Sequence, residues 1–140
     1  MGYLEKIRKG DPDANPFFIL MGIRVVETES GRATLEMRVR PDMYNGAGWM
    51  QGGLFAALVD EAMALALYTV LEGSEGIATI SENTSFFRGA KEGAVLVAEG
   101  RVIRKGRRVA FTEGEVREGG PAGQILSRTV ASFAVVRPGA

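Results

Sequence analysis

Residues Gly52 to Leu71 read GGLFAALVDEAMALALYTVL, and this stretch decides the fold. It is the one segment long enough, and free enough of breakers, to predict a long helix. Twenty helical residues span roughly 30 Å, about the width of a small domain, so the element is expected to run through the protein rather than over it. Leu54, Phe55, Leu58, Val59, Met63, Leu65 and Leu67, with alanines between them, leave almost no polar face. A helix apolar all round is expected to be buried. Asp60 and Glu61 at its midpoint would be costly in lipid, which argues for a core helix of a soluble protein rather than a membrane span.

Outward from the helix, strand patterns dominate. Val25 to Glu29 and Arg32 to Arg40 flank Ser30-Gly31, a hairpin turn, and Leu35, Met37 and Val39 alternate with polar residues. A polar lead up to Gly10, the loop DPDANP and the apolar FFILMGI, read as a turn or short helix, precede this hairpin. Beyond the helix, Ile77 to Phe87, Val95 to Ile103, Val109 to Arg117 and Ile125 to Val136 are separated by GAKEG, RKGRR and EGGPAG. Strands joined by such short turns are expected to be antiparallel. The fold class is therefore α+β: an antiparallel sheet of five to six strands with one buried helix, in a single domain spanning 1–140.

Composition narrows the function. The chain has 140 residues, 46% of them hydrophobic, and a formal net charge of +0. That charge gives no electrostatic argument for nucleic acid or an acidic membrane as partner. Cysteine and histidine are both absent, which excludes disulfides, thiol nucleophiles, imidazole bases, serine triads and histidine-ligated metals. Acid–base work falls to carboxylates, Tyr or Lys. The first residues lack the apolar core of a signal peptide, so a cytoplasmic location is expected.

A sheet curled around a single helix is the hot-dog architecture, and local motifs agree. Asn45-Gly-Ala-Gly48-Trp-Met-Gln51-Gly52-Gly53, running on to Asp60, resembles the signature of hot-dog acyl-CoA thioesterases related to the phenylacetate-pathway (PaaI-like) enzyme. In those proteins an Asn, a Gly, a His-Gly-Gly and a helical Asp recur at these spacings. Thr79 to Ala90, ending Phe86-Phe87-Arg88-Gly89-Ala90, resembles the strand of that family that ends Phe-Leu-Arg-Pro-Ala. The sequence departs from the pattern at three positions: Gln51 stands at the usual His, Met43 where another His often precedes the Asn, and Gly89 at the common Pro. Gln51 can still donate and accept a hydrogen bond.

Taken on its own chemistry, Asp60 has the small side chains of Ala56, Ala57 and Ala64 one turn away, which leave room for a ligand. Burial would raise its pKa and make it a usable base or nucleophile; the alternative is a hydrogen bond to a neighbouring subunit's loop. Glu61, about 100° round the helix, is the weaker candidate. Gly52 and Gly53 open the helix, where free N–H groups and the dipole favour a developing oxyanion. A tightly packed helix start explains the same glycines. Gly52 and Asp60 lie eight residues apart, roughly 12 Å along one helix, too far to act on one thioester. A productive site thus needs Gly52 of one subunit facing Asp60 of another.

The resemblance implies that Asp60 activates water or attacks directly, that the Gly52 N–H polarises the thioester carbonyl, that Asn45 orients it and that Thr79 holds the water. Without the resemblance, Thr79 is an ordinary strand threonine and Asn45 a turn residue. Gln51 and Gly53 are assigned to substrate binding with Arg88, Lys105, Arg107 and Arg108, cations that can meet coenzyme A phosphates or simply sit on solvated turns. The acyl pocket is expected near Trp49, Met50, Leu54 and Met63, which can equally be core. The expected function is hydrolysis of an aromatic or short- to medium-chain acyl-CoA without metal or cofactor, by a homodimer or a homotetramer. A non-catalytic acyl-CoA sensor is the alternative.

Overall fold

The computed structural model describes residues 2–138; the ends of the expected domain, residues 1, 139 and 140, lie outside them. Two short helices come first, α1 (Tyr3–Arg8) and α2 (Pro16–Met21). Asn15 starts α2 by accepting from the N–H groups of Phe17 and Phe18, with Pro16 in the first turn, and Gly22 ends it in the left-handed region at φ 70°. The strands are β1 (Arg24–Glu29), β2 (Arg32–Arg38), β3 (Gly76–Phe86), β4 (Val95–Lys105), β5 (Val109–Glu118) and β6 (Gln124–Val136), and the long helix is α3 (Gly53–Tyr68). All strand pairs are antiparallel, in the order β1-β2-β4-β5-β6-β3. The sheet curls about α3, the hot-dog arrangement. No helix among the described residues is long and apolar enough to cross a membrane.

Three expectations are corrected. The helix has 16 residues rather than twenty: Thr69 turns its hydroxyl back onto the Ala66 carbonyl at 2.6 Å and accepts from the N–H of Gly31 at 2.8 Å, fastening the helix end to the β1–β2 turn. The GAKEG segment is not a hairpin. β3 pairs with β6 at one edge while β4 lies between β2 and β5, so the connection crosses the end of the sheet. It is pinned there by Met50 N–H to Ala90 O and Val39 N–H to Ala94 O, both 2.9 Å. Finally, α3 is not buried on all sides. Phe55, Leu58, Val59, Ala62, Met63, Leu65, Ala66 and Leu67 are buried, but Gly53, Ala56, Ala57, Asp60, Glu61, Ala64 and Tyr68 form a strip that keeps contact with solvent.

The buried face meets the sheet at unusually short range. Gly100 and Gly114 lie opposite each other on β4 and β5. A Cβ on Gly100 would stand 2.5 Å from the carbonyl of Ala62, and one on Gly114 would stand 2.6 Å from Val59 Cγ2 and 2.8 Å from the Glu99 carbonyl oxygen. Glycine is needed here because the helix backbone itself rests on the strands.

At the sheet edge, β3 carries a bulge. Thr79 pairs with Phe133 and Ser81 with Ser132, leaving Ile80 without a partner. One extra residue inverts the alternation beyond it. Thr79 and Glu82 consequently lie opposite the inward, buried Phe133 and Ala131, and Thr84 and Phe86 continue on the same face. The outer edge of β3 is unpaired among the described residues, and Ile80, Phe86 and Phe87 are 58%, 54% and 52% exposed.

Candidate active site

Two hollows lie along α3, and no residue lines both. The first, about 340 Å³, includes Asp60, Glu61, Thr79, Tyr3, Asn15 and Tyr68 among its walls. Asp60 projects from the half-open strip of the helix, and Thr79 Oγ1 donates to its Oδ1 at 3.0 Å. One bend in β3 makes this contact possible together with the next: the bulge at Ile80 turns Glu82 toward the same carboxylate. Desolvation, followed by the hydrogen bond and charge of Asp60, pushes the Glu82 carboxyl up to about 8, so the two carboxyls together resist losing their last proton.

Glu61 is raised as well, first by burial and then by Asp60, against the opposing effect of its hydrogen bond from Asn15. That bond, Asn15 Nδ2 to Glu61 Oε1, is 2.9 Å, and the same amide nitrogen lies 2.8 Å from the Tyr3 hydroxyl. Burial raises Tyr3 and Tyr68, and the Glu61 charge raises both further. No cation figures among the groups acting on Glu61 or Glu82. Asp60 and Glu61 give this hollow an acidic wall.

The second hollow, about 400 Å³, lies at the start of α3 between Asn45, Trp49, Gly52, Phe55, Phe86 and Arg88. The Asn45 Oδ1 accepts from Ala47 N–H at 2.9 Å and Trp49 N–H at 3.2 Å, which fixes the amide and leaves its NH2 side without a protein acceptor among the described residues. Leu54 and Phe55 bond back to the carbonyls of Gln51 and Gly52, so the free donors of the helix start are the N–H groups of Gly52 and Gly53. Both hollows are thus supplied from α3, the acid from its middle and the amide donors from its first turn.

Gly52 takes an ordinary helical conformation, φ −58° and ψ −34°, and a Cβ there would make a normal 3.5 Å contact with Phe86. The backbone does not demand glycine at this position. Gly53 lies under the Gln51 amide, 2.7 Å from where its Cβ would be, so Gln51 folds across the helix start. Gly89, at the position of the expected Pro, is covered by the Trp49 ring: a Cβ would stand 2.7 Å from Cε3. Lys91 lies over the same ring at 4.2 Å.

The expected cations do not form one rim. Arg88 lines the Gly52 cleft. Arg107 and Arg108, in the β4–β5 turn, flank a separate hollow with Arg137, just past the end of β6. The pairing of Val109 with Ala134, and of Ala134 with Ala78, puts that turn at the end of the sheet nearest Thr79. Lys105 is held by Glu75 at 3.0 Å. Of the residues expected to form the acyl pocket, Trp49 and Met50 line the cleft, whereas Met63 is core, accepting from Thr112 Oγ1 at 3.2 Å. Helical periodicity carries no signal for Glu82 or for the Asn15–Tyr3 pair, which meet the site only through tertiary contacts. Simple alternation along β3 would have turned Glu82 away from Thr79.

The family model of the thioesterase superfamily matches residues 47–123, a span that contains Gly52, Asp60, Thr79 and Glu82. Acyl-coenzyme A thioesterase 13 of Homo sapiens is 31% identical over 110 residues, 78% of each chain. Among solved structures, a mutant of the phenylacetic acid degradation protein PaaI from Thermus thermophilus superposes with TM-score 0.78 at 26% identity, covering 87% of this chain and 100% of that one. The E. coli PaaI protein shares the fold, with TM-score 0.84 at 18% identity over 96% of this chain and 94% of that one. With the motif span, the sheet order and the helix all in agreement, the chain belongs to the thioesterase superfamily, and with it to the thioester hydrolases.

Proposed function

We infer that the protein hydrolyses an acyl-CoA thioester to the free acid and coenzyme A, in a site completed by a second copy of the chain. The observation that carries this reading is Asp60 held by Thr79 on the open strip of α3, beside an unpaired β3 edge, while the amide donors lie in a different hollow. Their separation along one helix, roughly 12 Å, is too great for one protomer to place both on a thioester. Two copies docked through the α3 strip and the β3 edge would bring the acid of one to the amides of the other. The same reading allows such dimers to pair into a tetramer.

In this site the Gly52 N–H, assisted by the Gly53 N–H and the Asn45 NH2, receives the oxygen that becomes negative as the carbonyl is attacked. Asp60 takes the proton of the attacking water, and the Thr79 hydroxyl, already donating to Asp60, offers an acceptor lone pair to the same water. Trp49, Phe55, Phe86 and Phe87 give the cleft an apolar, aromatic wall suited to an aromatic or medium-length acyl group. Arg88 at one end, and Arg107 and Arg108 at the other, are available to the phosphates of coenzyme A.

The test is thiol release from a panel of aliphatic and aromatic acyl-CoAs by wild type and Asp60→Asn. Turnover by wild type that Asp60→Asn loses, with binding retained, supports the reading. Binding of acyl-CoA without turnover by either protein would identify a sensor and overturn it.

A further inference from the structure

We propose that Glu82 is a second catalytic carboxyl, the general acid that works opposite Asp60 by handing its proton to the departing thiolate of the substrate. The proposal rests on the reading of Asp60 as the base of a thioester hydrolase. Its own footing is the bulge at Ile80, which puts Thr79 and Glu82, three residues apart on one strand, on the same side of the sheet and both at Asp60. A regular strand would have sent one of them outward. Two carboxyls turned toward each other resist ionising together, and the proton such a pair keeps is the one a departing thiolate needs.

Among the described residues, no cation acts on Glu82. From α3 it faces Asp60, with Glu61 next to it on the helix. From β6 the residues opposite and diagonal are Ala131, Thr129 and Phe133, none of which titrates. Tyr3 of α1 reaches Asn15 on the far side of Glu61. Desolvation and Asp60 together raise the Glu82 carboxyl to about 8.

The cycle balances. Water adds to the thioester carbon as Asp60 removes one of its protons, and the carbonyl electrons move onto the oxygen held by the amides. On collapse the C–S bond breaks, its electron pair goes to sulfur, and Glu82 gives sulfur a proton. The products are the carboxylic acid and the thiol. Asp60 is left protonated and Glu82 ionised, and transfer of one proton across the pair restores the starting state.

The test compares wild type, Glu82→Gln, Glu82→Asp and Asp60→Asn on two substrates with the same acyl group: the acyl-CoA, whose alkyl thiolate is basic, and an aryl thioester, whose thiolate leaves unaided. Glu82→Gln is expected to lower kcat on the acyl-CoA about tenfold to a hundredfold, the lower end of general-acid effects, and to leave the aryl thioester within about twofold. In wild type, kcat on the acyl-CoA should fall on the alkaline side of a limb near pH 8 that the aryl thioester does not show; this needs no variant to fold. Glu82→Asp should keep the limb, and Glu82→Gln should lack it. Equal losses on both substrates, or an alkaline limb unaltered in Glu82→Gln, overturns the acid role while leaving Asp60 as base. Undiminished turnover by Asp60→Asn overturns the hydrolase reading and this one with it.

Discussion

Thr79 Oγ1 donates to Asp60 Oδ1 across 3.0 Å, from an edge strand to the middle of the central helix. One side-chain hydrogen bond contributes about 0.5–1.5 kcal/mol net, and here it fixes the rotamer of Asp60. Thr79→Val keeps the shape and the β-branched stiffness but removes the hydroxyl. We expect kcat to fall about tenfold, with KM little changed, since about 1.4 kcal/mol corresponds to a factor of ten. Steady-state thiol release measures both constants. A changed KM at constant kcat would place Thr79 in ground-state binding instead.

Gly52 allows the amide role to be separated from the role of the missing side chain. Its φ of −58° suits proline, and a Cβ at this position meets only Phe86 at ordinary distance. Gly52→Ala should retain most activity, and Gly52→Pro, which lacks the N–H, should lose about 10²–10³ in kcat. Mixing Gly52→Pro with Asp60→Asn under subunit exchange should restore activity to about a quarter of wild type, because half the dimers are mixed and each mixed dimer has one intact site. No recovery after verified exchange would show that acid and amides act within one protomer.

Gly100 supports the helix at the carbonyl of Ala62, and the atoms a Cβ would strike are backbone, which cannot swing aside. Gly100→Ala should destabilise the fold by about 1–3 kcal/mol, the usual cost of overpacking, or more if α3 lifts from the sheet. Gly76→Ala is the control: nothing lies within 4 Å of its Cβ position. Urea unfolding of the two variants checks the difference.

Gly89 is covered by Trp49, the one tryptophan of the chain. Gly89→Ala must displace the ring, with loss of the Lys91 contact at 4.2 Å. The expected result is a shifted tryptophan emission maximum and a raised KM for acyl-CoA, because the ring walls the Gly52 cleft. Unchanged emission would mean that the loop gives way elsewhere.

Stability should decline as pH rises through neutrality. Glu82, raised from 4.5 to about 8, and Glu61, also raised, bind protons more tightly folded than unfolded. Between pH 4.5 and about 8 the native state therefore holds more protons than the unfolded chain. Unfolding then becomes easier as pH increases across that window. Glu82→Gln should flatten the dependence, raising Tm more at about pH 8 than at about pH 5. Thermal melts across this range give the sign directly.

Much of the architecture was legible in the residues. The long apolar run could only be the central helix, and Leu35, Met37 and Val39 alternate because one face of β2 is buried. The absence of His and Cys left acid–base chemistry to carboxylates, Tyr or Lys, and the span from Asn45 to Asp60 holds residues that line both hollows. These are local properties: periodicity, breakers and functional groups are written in consecutive residues.

Sequence by itself did not determine what depends on partners distant along the chain. That β3 pairs with β6 and not with β4 follows from closing the sheet around the helix, and the GAKEG turn carries no trace of it. Gly100 and Gly114 gain their meaning only when α3 comes down on them. Glu82 joins Thr79 at Asp60 because one unpaired residue, Ile80, shifts the pleat by a step. Side-chain direction in a strand has a period of two, so a single bulge changes which residues meet, and tertiary pairing alone decides where the bulge falls.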